Sequence, residues 1–419
     1  MAFPPPVGGG TGRGLKSPLY FLPMDLRNFS QNLEPFMRVE ERRKRIESEL
    51  GVDLSLLSIE EKKIGQADEK NCEQMFGAVP IPVGLAGPLT IHFSSGEVQE
   101  VYLPLATTEG ALIASVNRGC KALSQAGGVH VKSEYKGITR SIAFEVQSTK
   151  CEVRRKEIEE LESEWKKFAE ATSDHLKVLS YEIDAKDDFL FLTIAADTDE
   201  AMGMNMITIA ADAVGHFLSE KLGIPLITIA ANVDSDKKPS ERTKKLGRGY
   251  DVRAEATLTE EVLQSVLRAD AAAMLKTAHA KLEIGSSIAG SLGKNLHAAN
   301  IVAALYLAMG QDAAHVVEGS LTDTRVEIVG ARHAVPLQPL RVSVHCPAIL
   351  VGVRGGGTAL PAQKQCLDLL LKNRTSLHPS KQLAESIGAA VLAGEVSLLA
   401  AQATNTLAES HKKHARKDH

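Results

Sequence analysis

Between Ser141 and Ala230 the spacing of apolar residues switches repeatedly between the two-residue period of a strand and the 3.6-residue period of a helix. Ile142 to Val146 reads as a strand and Val153 to Ala169 as a charged helix. Val178 to Ile183 and Phe189 to Ala195 follow as strands, Met204 to Lys221 as a helix and Ile224 to Ala230 as a last strand. That order suits a small α+β sandwich of ferredoxin type, with both helices on one face of the sheet.

The flanking segments read differently. Glu34 to Glu69 is charged, with Met37, Val39, Ile46, Leu50, Leu54, Leu57 and Ile64 at helical spacing, which predicts a small helical cap. In Val79 to Leu89, Pro and Gly alternate with aliphatics, so this stretch cannot be a helix interior, and strands are expected to Leu105. Glu109 to Ala126 is rich in Ala and Leu and predicts a helix. After Asn232 the chain turns helical and Ala-rich, with helices expected near Thr259 to Ala280, Gly293 to Met309, Ala362 to Leu371 and Ser380 to His411. The expected fold class is therefore α+β: a large, mainly helical domain around a long central helix, an inserted ferredoxin-like domain and a helical N-terminal cap. The corresponding division is a disordered tail (1–30), the cap (31–77), the large domain (78–140 and 231–411), the insert (141–230) and a short tail (412–419).

Apolar residues make up 44% of the 419, enough for a substantial core without covalent staples. Cys72, Cys120, Cys151, Cys346 and Cys366 are scattered, with no zinc spacing, so a reducing compartment and no structural metal are expected. A net charge of −4 argues against a nucleic-acid partner. No run approaches the ~20 apolar residues of a membrane span, and the Pro- and Gly-rich start lacks the features of a signal peptide, so a soluble cytoplasmic protein is expected.

No dinucleotide fingerprint, phosphate loop or nucleophile elbow occurs. Some polar residues nevertheless stand in surroundings that packing would not select. Glu109 lies at the predicted start of a helix, where a first-turn carboxylate would explain it equally. Lys237 lies in the polar loop Asn232 to Pro239, where a solvated charge run is the plain alternative. Asp312 follows an Ala/Leu-rich helix and would need a partner if buried, or serves as a helix-end cap. His411 stands in a basic tail, where solvation accounts for most histidines.

The ordered set is more specific than any member. Ala106-Thr107-Thr108-Glu109-Gly110, Ala114 to Cys120, Glu200-Ala201-Met202-Gly203-Met204-Asn205-Met206, Asp236-Lys237-Lys238-Pro239, His297 to Asn300, Gly310-Gln311-Asp312 and Ser410-His411 resemble the motifs of the HMG-CoA reductase family, in the family's order. The resemblance runs from Asn71 to His411 and is closest to the class of eukaryotic catalytic domains and many archaeal enzymes. It implies two hydride transfers that convert 3-hydroxy-3-methylglutaryl-coenzyme A to mevalonate and coenzyme A. It further implies Lys237 as stabiliser of the carbonyl oxyanion, Glu109 as proton donor, Asp312 as the neighbour that couples both, and His411 as the acid for the departing thiolate.

By the same resemblance Arg140, Asn232, Asp236, Lys238, Lys281, His297 and Asn300 meet the substrate, and Ser115, Asn117 and Arg118 meet coenzyme A. Glu200, Ala201, Met202, Gly203, Met204 and Asn205 form a turn that receives the dinucleotide pyrophosphate at a helix N-terminus. No metal is implied. The family builds its site across a subunit interface, so a homodimer or homotetramer is expected.

The chain departs from the family pattern in three places: Glu200 stands where Asp is usual, Ala230 where Ser is common, and Ser173-Asp174 where NADPH enzymes carry Ser-Arg. A carboxylate repels a 2′-phosphate and accepts a bond from a ribose hydroxyl, which opens NADH beside the family's NADPH. The rival readings are a coenzyme A transferase or lyase, which needs no nicotinamide, and an inactive binding module. All four implied catalytic residues are present, against the second.

Overall fold

A computed structural model describes Leu26 and residues 33–329 and 339–404. Leu26 apart, the expected tails lie outside the described residues, and so does His411.

The described chain opens with α1 (Pro35–Leu50), where Pro35 pre-sets the first turn and Gly51 closes the last in a left-handed conformation. Two short helical turns follow, and Val39, Ile64, Ala67 and Met75 form a small apolar cluster under them. The hairpin β1 (Val83–His92) and β2 (Val98–Ala106) leads to α2 (Leu112–Gln125). β3 (Val129–Glu145) is the longest strand. It is followed by α3 (Cys151–Glu160), α4 (Glu162–Glu170), β4 (Lys177–Lys186), β5 (Phe189–Asp197), α5 (Met204–Leu222) and β6 (Leu226–Thr228). β7 (Gly249–Leu258), α6 (Ala298–Ala308), β8 (Asp323–Ile328), β9 (Leu340–Ile349), α7 (Pro361–Leu370) and α8 (Pro379–Ala403) complete the set used below.

The fold is mixed α/β with a mixed sheet. Its main path runs β2-β1-β3-β7-β9-β8, antiparallel except where β1 meets β3. β3 belongs to two layers. Its first half pairs with β7, and from Ile138 onward it pairs with β5, which in turn pairs with β4, while β6 borders the other side. The change of partner falls at Gly137, whose φ of 80° is open to glycine at little cost and where the register with β7 shifts.

α8 is hydrophobic almost all round, the composition of a helix enclosed on every side. Its length and hydropathy would suffice to cross a membrane, yet it is almost wholly buried in the core. Gly119 of α2 faces it so closely that an added Cβ would overlap the Ala393 carbonyl. A second core, around Ile142, Phe144, Trp165, Leu192, Ile207 and Val214, lies under α3, α4 and α5.

The large region is less helical than expected. β7, β8 and β9 were not expected after Asn232; in β7, Val252, Ala254, Ala256 and Leu258 alternate inward through small residues whose composition also suits a helix, whereas β9 carries an open strand period in Leu340, Val342 and Val344. The helix expected over Thr259 to Ala280 is interrupted: Arg268 takes a left-handed conformation, and Asp270 starts a new helix by accepting the Ala273 N–H. The helix expected from Gly293 starts at Ala298, because the Asn295 side chain caps Ala298 and spends its amide on Ser320 and Thr322. The helix expected from Glu109 starts at Leu112, after the left-handed Ala111.

Gly119→Ala is expected to destabilise the fold by about 1–3 kcal/mol through overpacking. Urea denaturation measures it, and a midpoint equal to the parent's would show that α2 and α8 tolerate separation.

Candidate active site

The loop from Asn232 to Pro239 holds Asn232, Ser235 and Lys237 in left-handed backbone conformations. Such conformations cost roughly 1–3 kcal/mol each in residues other than glycine and persist only where neighbours enforce them. The loop closes on itself through Ser235 N–H to the Asn232 carbonyl and Lys238 N–H to the Ser235 carbonyl, and at Lys237 the N–H donates to Glu318 Oε1 at 2.6 Å. The Lys237 ammonium is thereby set 2.9 Å from Asp312 Oδ2, in a pair that remains half-exposed. Asp312 follows α6, and its Oδ1 accepts the Ala314 N–H at the start of a short turn, so it is a cap as well as an ion-pair partner. Burial alone would raise its pKa; the Lys237 hydrogen bond, the Ala314 N–H and the charges of His315 and Lys237 outweigh it and hold the carboxyl below its usual range.

Beneath this pair lies a buried ionic network. Arg248, 1% exposed, donates from Nη1 to Asp236 Oδ1 at 2.9 Å and to Glu318 Oε1 at 2.8 Å. Its Nε and Nη2 reach Thr139 of β3, and Nη2 also meets the Met204 sulfur at the start of α5. Asp236, His315 and Glu318 offer ligand atoms within 4.8 Å of one another, but the guanidinium already sits between the two carboxylates where a cation would go. Arg140 lies alongside, bonded to Thr208 and 3.5 Å from both Asp234 and Asp236. Burial pushes the Asp234 carboxyl up, against the pull of Arg248 and Arg140. For Asp236 burial acts the same way, but Arg248 outweighs it and the net shift is downward.

Glu109 stands apart from this group. It precedes α2 instead of opening it, its N–H bonds the Thr107 hydroxyl, and its side chain is exposed. No hydrogen bond or ion pair joins it to Lys237 or Asp312. It lines a cavity of about 370 Å³ with Ser115, Arg118, Lys281, His297 and Asn300. Arg118 and Ser115 are both bonded to Ser397 on α8. Desolvation, with nearby Arg268, lowers the Arg118 pKa. The Leu296 and His297 N–H groups donate to the buried Glu395, which fixes the His297 wall, and His297 Nε2 is buried without a partner. Asn117 is absent from this lining; its Oδ1 accepts the Gly87 N–H. Asn232 and Lys238 stay on the Lys237 loop, with Lys238 Nζ on the Asp236 carbonyl.

At the other edge, Glu200 to Asn205 turns into α5. Gly203, at φ 97°, is its N-cap, with no side chain capping the first turn, so the opening N–H groups of this long helix are free to meet an anion. The turn rests on a second chain segment: Val353 donates to the Glu200 carbonyl, Ala201 bridges Arg354, and Arg354 Nε pairs with the Glu200 carboxylate at 2.8 Å. A Cβ at Gly352 would overlap the Met202 amide. Ser173 and Asp174 line a separate cavity of about 690 Å³ with His175, Lys177, Asp199 and Lys381. The uncapped first turn of α5 suits an anion, whereas the cavity, which Glu170, Asp174, Asp197 and Asp199 line, is rich in carboxylates.

The sequence therefore pointed to Lys237, Asp312 and Asp236, which converge, and to Glu109, Lys281, His297 and Asn300, which converge elsewhere. It gave no notice of Arg248, His315, Glu318 or Glu395. Two signals were available: Gly247-Arg248-Gly249 isolates an arginine between glycines, and His315 and Glu318 follow Asp312 at three-residue steps, one helical face.

The family described as hydroxymethylglutaryl-coenzyme A reductase matches residues 38–416. A 3-hydroxy-3-methylglutaryl-coenzyme A reductase of Methanocaldococcus jannaschii is 38% identical over 385 residues, 89% of this chain and 91% of that protein. The protein of that name from Halobacterium salinarum is 39% identical over 352 residues, covering 83% and 84%. Among solved structures, the class II 3-hydroxy-3-methylglutaryl-CoA reductase of Streptococcus pneumoniae bound to NADPH shares the fold at a TM-score of 0.64 and 19% identity, covering 86% of this chain and 96% of that one.

Glu318→Gln is expected to destabilise the fold by on the order of 3 kcal/mol, because it leaves the buried Arg248 charge short of a partner. A urea midpoint unchanged from the parent's would show that Asp236 alone suffices.

Proposed function

This chain belongs to the hydroxymethylglutaryl-coenzyme A reductase family, and we propose that it works through an active site assembled from two copies. It is an NAD(P)H-dependent oxidoreductase that reduces HMG-CoA to mevalonate and coenzyme A. The observation that carries the site reading is the Lys237–Asp312 pair, held half-open at 2.9 Å by a backbone that Glu318 keeps left-handed.

When bound, the nicotinamide supplies a hydride for each of the two reductions. Lys237 counters the negative charge that develops on the carbonyl oxygen, and Asp312 orients the ammonium and balances it at rest. Arg140 and Lys238, beside that pair, take the substrate carboxylate, with Asn232 and Asp236 on the same loop. Glu109 donates the proton to the carbonyl oxygen. Because it shares no contact with Lys237 within one chain, it comes to the oxyanion from the partner subunit, together with the Lys281, His297 and Asn300 wall. Ser115 and Arg118 meet coenzyme A, and Asn117 supports them through the β1 backbone. His411 protonates the departing thiolate. The first turn of α5 takes the pyrophosphate.

The segment 141–230 is read as a ferredoxin-like dinucleotide domain inserted into a substrate domain made of 78–140 and 231–411, with 31–77 as a cap. Supporting this are its strand–helix–strand–strand–helix–strand order, the sheet order β6-β3-β5-β4 and its own core. NADH use is supported by Asp174, whose carboxylate lines the cavity beside the dinucleotide turn and disfavours a 2′-phosphate. The setting is taken as cytoplasmic, consistent with the burial of the long apolar helix.

Lys237→Ala is expected to lower kcat by at least about a hundredfold with the fold intact; a near-normal rate would remove the lysine from the mechanism. Mixing subunits of Glu109→Ala and Lys237→Ala, each inactive, is expected to restore about a quarter of parent activity, since random pairing makes half the dimers mixed and each mixed dimer holds one intact site. No recovery would place both residues in one chain's site. Asp174→Arg is expected to raise kcat/KM for NADPH relative to NADH by tenfold or more, about 1.4 kcal/mol. An unchanged ratio in initial rates would clear Asp174 of selecting the cofactor.

A further inference from the structure

His315 is fully buried, and both of its ring nitrogens face carboxylates. Nδ1 lies 3.4 Å from Oε1 and 3.4 Å from Oε2 of Glu318. Nε2 lies 3.7 Å from Asp312 Oδ2 and has no hydrogen-bond partner. An ionised carboxylate only accepts, so a ring nitrogen without a hydrogen would set a lone pair against a charged oxygen in a place water does not reach. The arrangement is satisfied when both nitrogens carry hydrogen, or when one carboxyl does; in either case the trio holds one proton beyond two carboxylates and a neutral ring.

The trio also closes on the oxyanion residue. Glu318, which receives His315 Nδ1, also accepts the Lys237 N–H, and Asp312, which faces Nε2, holds the Lys237 ammonium. The other charged or titratable groups packed around the ring are Asp236 and Arg248, which complete the Glu318 network, and the phenol of Tyr306 on α6, close enough to feel the charges of Glu318 and Asp312.

We propose that His315 is a positioning residue that acts through Asp312 as the proton store of the site. While Lys237 rests on Asp312, that carboxylate has little affinity for a proton. When the ammonium turns to the developing oxyanion, Asp312 loses its partner and its proton affinity rises. The Nε2–H bond of the imidazolium then breaks as an O–H bond forms on Asp312 Oδ2, leaving a neutral imidazole and a neutral carboxyl, with nothing oxidised or reduced. Nε2 is the donor for a geometric reason: it is the one nitrogen of the ring with no other bond, and the remaining gap exceeds hydrogen-bond contact by less than about 1 Å. The carboxyl so formed passes its proton to the partner's Glu109 as that acid gives its own to the carbonyl oxygen, and the ring takes a proton back from solvent through the half-exposed Asp312 between the two reductions. His315 touches neither substrate nor nicotinamide.

The assignment rests on the roles proposed above for Lys237 and Asp312. Its test is the dependence of kcat on pH for the parent and for His315→Gln, which keeps a donor beside Asp312 but cannot store a proton. The parent is expected to lose kcat toward high pH, as the stored proton is lost. His315→Gln is expected to lose that limb and to fall in kcat by about tenfold or more, with KM for HMG-CoA within about twofold of the parent. A His315→Gln profile that superposes on the parent's, or a change in KM alone, would overturn the proposal. If His315→Gln does not fold, neutron diffraction from the parent at neutral pH decides: hydrogen on both ring nitrogens, or on one with a protonated Asp312 or Glu318, supports the store, and a neutral ring between two ionised carboxylates refutes it. An active Lys237→Ala would bring down the site reading and this inference with it. An inactive Lys237→Ala beside an unaltered His315→Gln profile would bring down this inference alone.

Discussion

The buried guanidinium of Arg248 is the interaction on which the arrangement of the molecule turns. A charge removed from water is tolerated only when its donors are matched, and Arg248 finds its partners on four separate pieces of chain: Thr139, Asp236, Glu318 and Met204. Thr139 lies just past the point where β3 leaves one sheet for the other, and Met204 begins α5, whose first turn has no side-chain cap. Asp236 and Glu318 set the loop that presents Lys237. One side chain thus couples the strand shared by the two sheets, the start of α5 and the Lys237 loop, and moving any of them would strand a charge.

The long helix α8 does for the second half of the site what Arg248 does for the first. Its apolar length fills the core, and the few polar groups it carries each have a task. Glu385 accepts from Ser94 and Ser133, joining the β1–β2 turn to β3. Glu395 takes the amides ahead of α6, and Ser397 holds Arg118 and Ser115. A buried carboxylate surrounded only by donors is a demanding neighbour, because each donor it loses costs the desolvation of a charged group. The wall carrying His297 and Asn300 is accordingly tied to the core helix behind it through Glu395.

The proposed roles give a physical sense to the separation of Glu109 from Lys237. Each group is held by the segment of the fold to which it belongs, Lys237 by Glu318 and the wall beside Glu109 by Glu395. On that proposal the acid and the cation are positioned separately and meet only over the substrate.

The sequence by itself determined the family, the order of the chemical motifs, the strand–helix alternation between Ser141 and Ala230 and the long apolar helix near the end, because each is written in residue identity or in a local period. It identified Lys237, Asp312 and Glu109 by resemblance, while their surroundings, read alone, were compatible with ordinary solvated charge. Three further strands in the large region escaped it: β7 because its inward alanines satisfy a helix as readily as a half-buried strand until a neighbour supplies the pairing, and β8 and β9 although Val326, Ile328, Leu340, Val342 and Val344 recur at the strand period. Only the tertiary structure decided that Arg248 meets Glu318 seventy positions away in sequence number, that His315 is enclosed between two carboxylates, and that Glu109 lines a cavity to which Lys237 does not belong. Those outcomes depend on burial and on which distant groups are left to satisfy one another, and neither quantity exists until the chain has folded.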